Sequence, residues 1–100
     1  MANSYFVHIT GIAWFRREHY PRIRAMFSDA DYPESYDDWL NKAEAGIKHH
    51  EKHGDIAIKV ILEPDEFTQW CNSLGRDIDS DAKHDFVVLM AKRAYDQRNT

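Results

Sequence analysis

The sequence predicts a small α+β domain of the order β-α-α-β-α-α, with helices packed on a short two- or three-stranded sheet. Three observations carry that prediction. Two runs, YFVHITGIAWF at 5–15 and DIAIKVILEPD at 55–65, are rich in β-branched and aromatic residues. After each run the apolar residues change from strand to helical spacing. Pro21, Gly54, Pro64 and Gly75 stand where a helix should begin or stop.

In the first run Gly11 is the only interruption, which predicts a strand from Tyr5 to Phe15 with a bulge or short hairpin at Thr10-Gly11. Tyr20, Ile23, Met26 and Phe27 then follow helical spacing. Pro21 is tolerable only in a first turn, so this helix starts near Glu18 to Tyr20 and ends before the acidic loop SDADYPE. Ser35 with Asp38 resembles a capping box, and Tyr36, Trp39, Leu40, Ala43 and Ile47 make the apolar stripe of a second helix that Gly54 stops. Asp38 with Lys42 and Glu44 with Lys48 sit at i,i+4 on its wet face.

The second strand turns Ile56, Ile58, Val60 and Leu62 inward, alternating with Ala57, Lys59 and Ile61. Pro64 opens a third helix on Phe67, Trp70, Cys71 and Leu74, closed by Gly75. Asp79 or Ser80 caps the last helix, which buries Phe86, Leu89, Met90 and Ala94 and carries its acids early and its bases late. A two-stranded sheet is marginal by itself, so helices must cover it or a partner chain must extend it.

One hundred residues fit a single domain, 1–100, large enough for one modest core, with an ordered part expected over about 4–97. A charged fraction of 30% and a hydrophobic fraction of 43% are globular rather than disordered values. The formal charge of -4 argues against broad phosphate binding. Cys71 is the only cysteine, which excludes an internal disulfide framework and suits a reducing compartment. The apolar runs are shorter than a membrane span, and MANSYFVHITG lacks the basic start and apolar core of a secretion signal. The expected location is cytoplasmic, with no membrane partner.

The segments IAWFRREHYPRIRAMF, YDDWLNKAEAGI and EPDEFTQWC, taken together, resemble a family of short uncharacterised bacterial proteins. That family shares W-[FY]-R-x-E-x-Y, Y-x-x-W-L and D-E-F-x-x-W-C segments in this order. The resemblance spans most of the chain. It implies a compact bacterial protein and brings no activity with it.

HHEKHGD, residues 49–55, gathers three of the six histidines. His49 and His53 have one-turn spacing, but Glu51 is misplaced for the His-Glu-x-x-His of a zinc hydrolase. Helical phase points His49 and His53 to water and sets His50 at the border of the apolar stripe. Imidazoles and lysines are also what a helix C-terminus favours. The expectation is a helix end that captures Zn or Ni adventitiously, with His49 and His53 as the metal-ligating candidates and no resident cofactor. Cys71, on the apolar side of its helix, reads as core rather than nucleophile. Trp14, Trp39 and Trp70 also read as core.

Charge patterning carries the functional expectation. RREHYPRIR, 16–24, holds four arginines and one glutamate, whereas DADYPESYDD, 29–38, holds five acids and no base. Arginine and tyrosine anchor protein interfaces, which makes Arg16, Arg17, Tyr20 and Arg24 the candidate partner-binding residues. Pairing of the arginines with the acidic loop is the structural alternative, and contact with nucleic acid a further one, disfavoured by the net charge. No phosphate loop, paired CxxC, nucleophile elbow or EF-hand loop argues for an enzyme. The sequence therefore predicts a non-catalytic protein-interaction module, with self-association into a homodimer as one form of that binding. Weak divalent-metal binding at His49 and His53 and nucleic-acid association through 16–24 are the alternatives.

Overall fold

Two short strands, β1 (Ile9–Trp14) and β2 (Ile56–Ile61), pair in parallel, with Ile9 opposite Ile56 and Trp14 opposite Ile61. A computed structural model describes residues 8–98. Parallel neighbours cannot be joined by a tight turn. The chain crosses over through a 3-10 turn (Arg17–His19), α1 (Tyr20–Met26) and α2 (Tyr36–Lys52), and after β2 it adds α3 (Pro64–Ser73) and α4 (Ser80–Arg98). The class is α+β, as expected. The 3-10 turn is an addition to the expected order, and the described residues form a sheet of two strands. Tyr5, with which the first strand was expected to begin, lies outside the described residues.

The expected bulge or hairpin at Thr10-Gly11 is absent, because the pairing runs through Thr10, Gly11 and Ile12 without a skipped residue. Gly11 answers a different need. A Cβ there would lie 2.9 Å from Ala91 Cβ, 2.9 Å from Val87 Cγ1 and 3.0 Å from the Val87 carbonyl. The missing side chain lets α4 lie directly on the strand, a reason for glycine that local sequence cannot distinguish from a bulge.

Because side chains alternate along a strand, Gly11 and Ala13 share the α4 face with Ile58 and Val60. Ile58, Val60 and Leu62 are buried there as predicted. Trp14 lies on the opposite face, in edge-on contact with Trp39 of α2 at 5.2 Å, and the Lys59 ammonium sits 4.1 Å from its ring centre. The sheet is thus held between α2 and α4. Beyond its end an aromatic core continues through Phe15 on Trp39 (4.8 Å), Phe27 on Phe67 (5.5 Å) and Phe67 on Phe86 (5.4 Å).

Side-chain caps set three helix starts. Ser35 Oγ accepts the Asp38 N–H at 3.0 Å, the Glu63 carboxylate accepts the Asp65 and Glu66 N–H groups, and Asp79 Oδ1 accepts the Ala82 N–H at 2.8 Å. Gly54 and Gly75, with φ of 85° and 63°, follow α2 and α3 in the left-handed conformation that glycine adopts without strain. Two apolar assignments change. Leu74 closes α3 with 58% exposure instead of joining the core. In α4 the buried set is Ala82, Phe86, Val87 and Ala91, because contact with Gly11 turns the Val87 and Ala91 side of the helix onto the sheet.

Candidate functional site

The arginine segment divides. Arg17 Nη2 donates to Asp37 Oδ1 at 2.7 Å, and its guanidinium carbon lies 4.6 Å from the centre of the Tyr36 ring. Arg22 donates to Asp65 Oδ1 at 2.5 Å and holds that carboxyl below the usual aspartate range. Tyr20 is a core residue with 2% exposure, its hydroxyl donating to the Pro33 carbonyl at 2.5 Å. Expected as an exposed aromatic anchor, it instead pins the acidic loop to α1. Arg16 and Arg24 are exposed and form no ion pair among the described residues.

In the histidine cluster, His53 Nδ1–H donates to the His49 carbonyl at 2.8 Å, and the two rings lie 4.4 Å apart on the exposed side of α2. Among the described residues no group of three or more His, Cys, Asp or Glu side chains is placed to hold a metal ion. His50 takes another role. Its Nδ1 lies 3.1 Å from Asp55 Oδ2, while His8 Nδ1 lies 3.1 Å from Asp55 Oδ1. The hydrogen bond with His50, helped by that with His8, lowers the Asp55 pKa. This clasp joins the end of α2 to the starts of both strands. Asp55 stands at the end of the quoted HHEKHGD, but only folding brings His8 to it.

Cys71 is fully buried, and burial pushes its thiol pKa up, as suits a core residue. Trp39 is buried too, whereas Trp14 and Trp70 are half-buried against the core.

A concave site not read from the sequence runs along the outer edge of β1. The Ile56 N–H donates to the His8 carbonyl and the Leu62 N–H to the Trp14 carbonyl, both at 2.9 Å. With a strand period of two, even-numbered residues of β1 face β2, and Ile9, Gly11 and Ala13 turn their backbone N–H and C=O groups outward. No further strand among the described residues receives them. Depressions adjoin this edge: one of about 340 Å³ at Ile9 and Gly11, lined by Lys92 and Asp96 of α4, and two of about 290 Å³ and 240 Å³ that share Ile12, Ala13 and Lys83. Trp39, Lys42 and Ala43 of α2 form one wall; Lys83, His84 and Val87 of α4 form the other.

Lys42 was expected in an i,i+4 pair with Asp38. Neither that pair nor Glu44 with Lys48 closes to an ion pair, and Lys42 lines the trench instead. Lys83 is half-buried. Its ammonium donates to the Tyr32 hydroxyl and lies 4.9 Å from the Tyr32 ring centre and 5.5 Å from that of Phe27. Desolvation pushes the Lys83 pKa down, and burial pushes the Tyr32 hydroxyl up to about 12. Lys42 was legible in sequence as a residue of the wet face of its helix; its meeting with Lys83 across β1 was not.

The chain matches no protein-family model, no curated protein and no solved structure. No helix among the described residues is long and apolar enough to cross a membrane.

Proposed function

We propose that the protein is a non-catalytic interaction module that takes an extended segment of another protein chain along the outer edge of β1. The observation that carries this reading is the outward row of backbone groups at Ile9, Gly11 and Ala13, left without a strand partner among the described residues. Strand addition satisfies such groups and lets flanking pockets choose side chains. The other edge of the sheet differs in its charge. β2 carries Lys59 among its outward positions, whereas β1, ITGIAW, has no charge, proline or bulge to deter pairing.

Arg16 and Arg24, both exposed, belong to the proposal as secondary contacts, Arg16 standing two residues beyond the end of β1. The resemblance to short bacterial proteins supports a cytoplasmic bacterial setting within the same proposal. The direct test is residue-resolved amide exchange with and without a captured partner. In the free protein the Gly11 and Ala13 amides exchange fast beside protected Thr10, Ile12 and Trp14, and binding slows them. Unchanged exchange at Gly11 and Ala13 in the complex would overturn the reading.

A second reading keeps His49 and His53 as a weak divalent-metal site, favoured by their ring separation of 4.4 Å. Calorimetry with zinc on the native chain and on His53→Ala tests it, since loss of binding in the variant is the expected result.

A further inference from the structure

Resting on the strand-docking reading, we propose that the segment received by β1 is acidic, one of its carboxylates entering the depression between Trp39 and Tyr32 to be held by Lys42 and Lys83. The charged groups lining the two trench depressions are Lys42 and Lys83, with His84 beside them, and no acid lines either. The Ala13 half of the edge is thus lined by bases on a chain of formal charge -4, whereas Asp96 lines the Ile9 half.

Lys83 supplies the independent observation. A half-buried ammonium is costly unless an anion compensates it. Its hydrogen-bond partner is the neutral Tyr32 hydroxyl, and two ring faces supply the rest of its surroundings. Asp29, the acid that acts on it electrostatically, is already occupied by the Ser80 N–H at 3.0 Å and the Ser80 hydroxyl at 2.9 Å. Lys83 forms no ion pair among the described residues. Lys42 reaches the same depression from the opposite wall, so a carboxylate between them meets donors from two helices. Such a bond is stronger than one between neutral groups.

Fluorescence anisotropy on the full chain at low salt tests the inference with two labelled peptides, TVEVEVT and TVQVQVT. The acidic peptide should bind tighter by about tenfold or more. Lys42→Gln with Lys83→Gln should abolish that preference while leaving the weaker binding of the glutamine peptide, and Lys83→Arg should retain it. Equal binding of the two peptides with β1 amides protected overturns the acidic specificity and leaves strand docking standing. Failure of both peptides to bind or to protect Gly11 and Ala13 overturns both. Dimerisation that protects those amides without peptide names a second copy as the occupant and also overturns the inference.

Discussion

At the scale of single residues, Gly11 makes the sharpest stability prediction. A methyl group there would lie 2.9 Å from Ala91 and Val87 side-chain carbons, closer than real Cβ contacts come, and 3.0 Å from the Val87 backbone carbonyl, so α4 or the strand must shift. Gly11→Ala should therefore cost about 1–3 kcal/mol through overpacking, measured as a lower urea midpoint with an unchanged slope. Phe67, fully buried between Phe27 and Phe86, marks the opposite case. Phe67→Ala leaves a void and should cost about 3–5 kcal/mol.

The depressed carboxyls set an acid limb at the same scale. Asp55 is lowered chiefly by its hydrogen bond with His50, Asp29 by the Ser80 N–H and Asp65 by Arg22. A group whose folded pKa is below its unfolded one adds stability that is fully present above the unfolded value, about 4 for aspartate. That contribution is lost as pH falls through the folded value. Stability should thus decline on acidification below about pH 4, and Asp55→Asn should lower it above that range while making the decline shallower. Chemical denaturation repeated across pH checks both.

Elements show how much of the architecture was legible and why. The α2 helix declared itself through the Ser35 cap and a stripe whose Trp39 is buried, since cap and period are both local. Ser35→Ala should cost about 1 kcal/mol, visible by thermal melting. The α4 helix was legible as a helix but not in its orientation. Its apolar residues spread around the axis, and what selects Val87 and Ala91 is a glycine in another element. The β2 strand announced its inward set; β1 concealed its unbroken register behind Gly11, where absence of a side chain means either a bulge or a close neighbour.

For the whole molecule, pairing was the hidden quantity. Strand identity was readable, but nothing local states that Ile9 lies beside Ile56 in parallel, because register depends on the crossover and on helices covering both faces. The same holds for the site. Ile12, Trp39, Lys42 and Lys83 come from three elements, and each has an ordinary local explanation. The charge pattern offered contact between the arginine and acidic segments as an alternative to partner binding, and Arg17 with Asp37 realises it. It could not show that Tyr20 would be spent inside. If the trench suits an acidic segment better than its own copy, the purified protein should sediment as a monomer and bind the acidic peptide one to one.

The parallel crossover also has a consequence for how the chain is made. The ends of the clasp, His8 and Asp55, are 47 positions apart. During synthesis β1 emerges first and must wait, without a partner on either side, until β2 leaves the ribosome. In that interval ITGIAW is a bare β-forming segment with no charge, open to the wrong neighbour. Nascent chains halted before Ile56 should aggregate or recruit a holding chaperone, and chains extended past α4 should not.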